Sequence, residues 1–216
     1  VSAADVLFFD LDGTLVDSEA GIVGSLRHAF AKVGRPEPDA QQLRAWIGPP
    51  LRDSFNAHFH GDAALIEQVL AEYRMRYDQQ GWREHTVFPD IGAAVDALSA
   101  AGHRLAVVTS KNERFARRIV EHLPFGGRFE EVVGASDDGA RRAKPDLIAE
   151  ALRRLGVAPA QCRMIGDRRM DIDGARHHGM RSIGVLWGFG DAEELRQAGA
   201  DVLAQTPAQL PALVAA

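Results

Sequence analysis

Asp10 and Asp12 stand two residues apart directly after an apolar run, Val6-Leu7-Phe8-Phe9, and Gly13-Thr14 follows at once. Two carboxylates this close repel by roughly 4 kcal/mol at about 4 Å and an effective dielectric near 20, so a cation, a shared proton or strong donors must hold them. A divalent metal meets that need. Mg²⁺ takes oxygen ligands, is held by one or two carboxylates, and completes its shell with water and substrate phosphate. In such a site Asp10 would be the metal-held nucleophile and Asp12 the acid and base on either side of the reacting group. A solvated Asp-rich turn is the competing reading. A calcium loop fits worse, because the EF-hand pattern needs a third ligand at position five and Gly at six, and Gly13 already occupies position four.

These residues need a frame. The four apolar residues before Asp10 predict a strand buried on both faces, as in a parallel sheet, and ligands of such sheets bind at the carboxyl ends of strands. From residue 83 onward, strand and helix alternate. Helices are expected over Asp90–Ala101, from Asn112 to about His122, over Lys144–Leu155 with Gly156 as its stop, and from about Asp171 to His178. Strands are expected at Arg104–Val108, around Val132-Val133, at Arg163–Ile165 and over Ser182–Leu186, with one more helix, strand and helix after them. This βαβ order predicts an α/β core with a parallel sheet and helices on both faces. Residues 17–82 instead carry four helical patterns and no convincing strand, which predicts a small helical bundle inserted after the first strand.

The expected strand ends share one chemistry. Thr109 and Ser110 end one strand, Asp167 ends another with Asp171 four residues later, and Lys144 opens a helix. Together with Asp10 and Asp12 they supply carboxylates for a cation, hydroxyl and backbone donors for phosphoryl oxygens, and an ammonium to offset charge. That set suits phosphoryl transfer, in which positioning and charge stabilisation dominate. Only Lys32, Lys111 and Lys144 among the 25 basic residues are lysines.

Composition narrows the class. With 216 residues, 46% hydrophobic and 25% charged, the chain is an ordinary globular one. A formal net charge of -5 gives no basic footprint for nucleic acid. No apolar run approaches the roughly 20 residues of a membrane span, and the start of the sequence lacks a basic region followed by a long apolar one, so a cytoplasmic location without membrane partners is expected. The single Cys162 excludes an internal disulfide.

Taken in order, Asp10-Leu11-Asp12-Gly13-Thr14, Thr109, Lys144-Pro145 and Gly166-Asp167 with Asp171 resemble the four motifs of the haloacid dehalogenase superfamily, over essentially the whole chain. Ile47-Gly48-Pro49-Pro50-Leu51, Thr109-Ser110-Lys111 and Gly184-Val185-Leu186-Trp187-Gly188 resemble its phosphoglycolate-phosphatase-like branch. The resemblance implies a Rossmann-like catalytic core at residues 1–16 and 83–216 and a specificity-setting helical cap at 17–82, whose closure would exclude water. It implies that Asp10 attacks the phosphate and that Asp12 protonates the leaving alkoxide and then deprotonates water. Thr109 would bind the phosphoryl group, with Gly13, Thr14, Ser110 and Lys111 beside the substrate, and Lys144 would neutralise charge. Mg²⁺ would sit on Asp10, the Asp12 carbonyl and Asp167, with Asp171 acting through water or by orienting Lys144. The presence of Asp12 argues against a dehalogenase or a P-type pump. Lys32, the one lysine of the cap, looks like a helix-end charge and not the Schiff-base lysine of phosphonate hydrolysis.

The implied activity is a Mg²⁺-dependent phosphatase for a small phosphorylated metabolite, phosphoglycolate first, with a nucleoside monophosphate, pyrophosphate or sugar phosphate as the alternative. A mutase and a non-catalytic binding protein are further readings, and a monomer or homodimer is expected. Arg52 is balanced between gripping a substrate carboxylate and pointing to solvent, and Arg141 and Arg142 are balanced likewise. Cys162 and Arg168 match the Cys-x5-Arg count of thiol phosphatases, but Asp167 would set a carboxylate against the phosphate. His58, His60, His177 and His178 lack a clustered third metal ligand. Gly188-Phe189-Gly190 makes no nucleotide fingerprint. Trp46, Trp82 and Phe88 read as packing.

Overall fold

The structure, a computed structural model, describes residues 5–216; the expected core therefore begins with four residues outside that range. The chain divides into two compact units, one formed by the chain up to Val16 together with Val87–Ala216, the other by Asp17–Thr86.

The first unit is a six-stranded parallel sheet. Its strands are β1 (Val6–Phe9), β4 (Arg104–Asn112), β5 (Phe129–Ala135), β6 (Cys162–Gly166), β7 (Arg181–Val185) and β8 (Val202–Ala204), in the order β5-β4-β1-β6-β7-β8. Helices α5 (Ile91–Ala100), α6 (Glu113–His122), α7 (Lys144–Leu155), α8 (Arg169–His177), α9 (Ala192–Ala198) and α10 (Leu210–Ala215) connect or follow them. The apolar run of β1 lies at the centre and is buried throughout. Val6 and Phe8 pack with Leu147, Ile148 and Ala151 of α7 and with Met164 of β6. Leu7 and Phe9 project to the other face, where they are equally buried, and the Phe9 ring meets Phe129 edge-on at 5.8 Å. Burial on both faces is why the strand shows no alternation.

Register aligns the strand ends. Phe9 stands opposite Val107 of β4 and Ile165 of β6, so the residues that follow each strand emerge along one edge. The β4–β5 pairing is irregular between Val108 and Asn112, which takes Thr109, Ser110 and Lys111 out of the regular ladder. Pro145 in the first turn of α7 and Gly156 in the left-handed region at its end (φ 63°) bound that helix as expected.

The second unit contains α1 (Glu19–Lys32), α2 (Ala40–Ala45), α3 (Leu51–His58) and α4 (Ala63–Gln79). Asp39 and Asp62 cap α2 and α4 by accepting from Gln42 N at 2.7 Å and Leu65 N at 3.1 Å. Its interior is aromatic: Phe30 stacks on Trp46 at 5.9 Å and meets Phe55 edge-on at 6.2 Å. Short strands β2 (Val16–Asp17) and β3 (Thr86–Val87) pair where the chain leaves and returns. The return comes at Val87 and not at residue 83. Glu84 explains the difference, since its carbonyl accepts from Gly21 N at 3.0 Å and its carboxylate takes Arg76 at 2.9 and 3.1 Å, tying this stretch to α1 and α4.

Candidate active site

Asp10 continues β1 by one residue, its N–H donating to the Ile165 carbonyl at 2.9 Å, and is 4% exposed. Beside it lies Lys144, the first residue of α7 and 3% exposed. Its ammonium contacts Asp10 Oδ1 at 3.0 Å, Asp171 Oδ1 at 2.6 Å and the Val108 carbonyl at 3.0 Å. Asp167 and Asp171 are wholly buried, and one carboxylate oxygen from each of Asp10, Asp167 and Asp171 falls within a 4.8 Å group. Asp171 is further held by the Arg168 N–H at 3.0 Å. Its contact with the Lys144 ammonium is the one that the second of its two expected roles would use.

Charge in this cluster is unbalanced. Burial raises Asp10 to about 6 against the pull of Lys144, with Asp171 and Asp12 adding repulsion. Asp167 is pushed well above its ordinary value, first by burial and then by Asp10 and Asp171, while the Phe189 N–H and Arg168 pull it down. Burial alone would lower Lys144, but the Asp10 and Asp171 carboxylates outweigh it and hold its pKa high. Three carboxylates facing one ammonium, all with oxygen donors, fit a hard divalent cation. Asp12 Oδ1 and Ser110 Oγ are buried polar atoms without a hydrogen-bond partner, as expected of groups awaiting a ligand.

Asp12 is 5% exposed, and its Oδ2 accepts from the Lys111 ammonium at 2.8 Å. Sequence reasoning set Lys111 beside the phosphoryl group and missed this pairing, which joins residues 99 apart in the chain. Thr109 is buried, its hydroxyl accepting from Lys111 N at 3.2 Å.

Gly13 and Thr14, expected beside the substrate, have donors already engaged. The Gly13 N–H donates to Val16 O at 2.8 Å, and the Thr14 hydroxyl donates to Asp167 Oδ1 at 3.1 Å. Gly13 sits at φ 86°, and a Cβ there would lie 2.2 Å from Asp167 Oδ2, so this position needs glycine both for its backbone and for its space. The 187–190 loop was also missed as part of the site: the Phe189 N–H donates to Asp167 Oδ2 at 2.8 Å. Its signal was present, since Trp187 follows an apolar strand as Asp10 and Asp167 do, but the adjacency of β7 to β6 could not be read from sequence.

Other candidates find partners elsewhere. Arg52 belongs to the helical unit, where both its terminal nitrogens donate to Glu67, one of them at 3.1 Å. Arg141 is taken by Glu113 at 3.1 Å and the Gly134 carbonyl, and Arg142 donates to Gly139 O at 2.8 Å. Cys162 opens β6, its thiol pushed up to about 11 by burial, and Arg168 pairs with Glu194 at 3.0 Å, so no thiol-phosphatase loop forms. His58 packs against Trp46 and Phe59, and His178 Nε2 bonds the Pro145 carbonyl, neither within an acid cluster. Among the described residues, no helix is long and apolar enough to cross a membrane.

A family model described as haloacid dehalogenase-like hydrolase matches residues 7–185. The tyrosine-protein kinase PtkA of Mycobacterium tuberculosis is 43% identical over 188 residues, which cover 87% of this chain and 64% of that protein. The chain thus spans less than two thirds of the length of that relative. A solved structure of PtkA superposes with a TM-score of 0.84 at 38% identity, covering 100% of each chain. A 5'-nucleotidase of Pseudomonas aeruginosa is 42% identical over 88% of this chain and 86% of its own length. A phosphoglycolate phosphatase of Xanthomonas campestris pv. campestris is 33% identical over 94% of this chain and 93% of its own.

Proposed function

The chain belongs to the haloacid dehalogenase-like hydrolases, and on that premise we propose that it is a Mg²⁺-dependent phosphatase of small phosphomonoesters that works through an aspartyl-phosphate. The observation that carries the reading is the buried Asp10, gripped by Lys144 and flanked by Asp167 and Asp171, with Asp12 two residues on. Mg²⁺, held by Asp10, Asp167 and the Asp12 carbonyl, would neutralise the carboxylates and phosphoryl oxygens so that anion can approach anion.

The residues of the chain perform the rest. A carboxylate oxygen of Asp10 attacks phosphorus as the bond to the leaving alkoxide breaks, and Asp12 gives the alkoxide its proton. Asp12 then takes a proton from water, whose oxygen attacks the same phosphorus and releases Asp10. Thr109 and Ser110 donate to phosphoryl oxygens, and Lys144 offsets the charge. Lys111 transfers from Asp12 to an incoming phosphoryl oxygen, which frees Asp12 to carry the proton it must deliver. Substrate choice belongs to the helical unit, residues 17–86, with Arg52 its carboxylate-binding residue.

Phosphoglycolate is the first substrate, supported by the Xanthomonas relative and by the Thr109-Ser110-Lys111 and Gly184–Gly188 segments. A 5'-nucleotide is the second reading, favoured by the higher identity of the Pseudomonas nucleotidase. The test is phosphate release from 2-phosphoglycolate, nucleoside monophosphates, ATP, pyrophosphate and hexose phosphates, with Mg²⁺ or with a chelator. Metal-dependent release dominated by one ester is expected, and Asp10→Asn should abolish it while the protein remains folded. Turnover surviving in Asp10→Asn would remove the aspartyl-phosphate mechanism.

A further inference from the structure

Asp167 is built into a frame whose second half comes from the loop after β7. Its Oδ1 accepts from the Thr14 hydroxyl and its Oδ2 from the Phe189 N–H. The Trp187 indole N–H donates to the Thr14 carbonyl at 3.0 Å, so the same loop that fixes one oxygen of Asp167 also holds the residue that fixes the other. The spacing leaves no slack. A Cβ at Gly188 would lie 2.3 Å from the Gly13 carbonyl oxygen and 2.5 Å from Asp167 Oδ2, and one at Gly190 would lie 2.0 Å from the Asp167 carbonyl oxygen. Gly188 therefore lets loop, turn and carboxylate close on one another.

We propose that Trp187-Gly188-Phe189-Gly190 is a positioning element for the divalent cation, with Trp187 as the residue that sets cation affinity by holding Thr14, and through it Asp167. The inference rests on the phosphatase reading of the site and adds a segment outside the strand-end residues that carry the chemistry. Partners that orient a ligand carboxylate govern metal affinity by roughly 10- to 100-fold.

The experiment compares wild type with Trp187→Phe, which keeps a ring and deletes the N–H. Two readouts follow a Mg²⁺ titration: the rise in Tm, and the Mg²⁺ concentration giving half-maximal phosphate release. The half-saturating Mg²⁺ should rise about tenfold in both readouts. Without Mg²⁺ the Tm should fall only by the few degrees expected for one lost hydrogen bond. A role confined to folding would lower the metal-free Tm and leave the half-saturation point in place. Thr14→Val supplies the second test, because it removes the hydroxyl through which Trp187 acts. In that background Trp187→Phe should add little to the Mg²⁺ requirement, and a full tenfold increase there would overturn the path through Thr14. An unchanged Mg²⁺ requirement in Trp187→Phe, with wild type responding normally, overturns the loop inference alone. A wild type whose Tm and turnover both ignore Mg²⁺ overturns the loop inference together with the metal-dependent phosphatase.

Discussion

The two units differ in what their interiors hold. In the sheet unit, Asp10, Asp167, Asp171 and Lys144 all lie inside, and the Lys144–Asp171 pair has side chains only 1% and 0% exposed. In the helical unit the interior is filled by Phe30, Trp46 and Phe55, while Arg27–Glu37, Arg44–Glu19 and Arg52–Glu67 pair at the surface. Surface pairs contribute little to stability, and aromatic burial contributes much. Buried ions are costly unless paired, and replacing them with apolar groups commonly stabilises a fold. The sheet unit therefore carries a cluster that packing alone would not select, which marks it as the seat of chemistry, whereas the helical unit is assembled as a packed scaffold.

Lys144→Met breaks this contrast most severely. It leaves Asp10 and Asp171 in the interior without their ammonium, and removing one partner of a buried pair costs about 3–5 kcal/mol. Chemical denaturation at pH 7 should show a loss of that size. Turnover at saturating Mg²⁺ should fall by about a thousandfold or more if, as in the proposed mechanism, the ammonium aligns the nucleophile and offsets charge in the transition state. Wild-type turnover in a folded Lys144→Met would remove Lys144 from the site.

Phe30→Ala attacks the other unit by a comparable amount. The ring touches Trp46, Phe55 and Phe59, and its deletion should cost about 3–5 kcal/mol by denaturation. The Mg²⁺ requirement should remain within about twofold of wild type, since the proposed ligands belong to the sheet unit. A large shift in that requirement would show that the two kinds of interior are energetically coupled and would blunt the contrast.

Legibility in the sequence followed the same division. Β1, α7 and the strand-end acids were readable because continuous apolar runs, Pro145 and Gly156 are local signals. Asp10, Asp167, Asp171 and Lys144 could be drawn together because parallel strands end at one edge. What escaped were contacts set by strand order or by pairing across a long stretch of chain. Lys111 on Asp12 joins residues 99 apart in the chain, and Phe189 on Asp167 depends on β7 lying next to β6. The sequence pattern puts the domain return at residue 83, whereas the sheet unit resumes at Val87, because Glu84 is tied to Gly21 of α1 across a long stretch of chain as well as to Arg76 of α4.

Titration sharpens the claim that the buried acids await a cation. Asp10 and Asp167 have folded-state pKa values raised above their ordinary ones, Asp10 to about 6. The folded protein therefore holds protons that the unfolded chain releases, so the contribution of Asp10 is full below about pH 4 and is lost as pH rises through 6, and that of Asp167 is lost as pH rises through its own raised pKa. Without metal, Tm should fall across that window. Mg²⁺ at about 100 times its dissociation constant should restore roughly 5–10 °C at pH 7.5 and much less at pH 4.5, where protons occupy the same oxygens. An equal effect at both pH values would place the cation elsewhere.

The smallest effect on stability is expected at the surface of the helical unit. Arg52 and Glu67 are 37% and 57% exposed, and a pair this open contributes about 0.5 kcal/mol or less, so Glu67→Gln should leave Tm nearly unchanged. Its effect on substrate choice should be larger. On the proposed role of Arg52, a neutral Glu67 removes an internal carboxylate that would compete with a substrate carboxylate for the same fork of N–H donors. The KM for 2-phosphoglycolate should fall about two- to fivefold in Glu67→Gln and rise by at least as much in Arg52→Ala, a change of the size expected for one exposed charged hydrogen bond. Esters without a carboxylate should be indifferent to both variants. If nucleoside monophosphates respond as strongly as 2-phosphoglycolate, Arg52 acts on phosphate charge in general, and its proposed role as a carboxylate-binding residue is overturned.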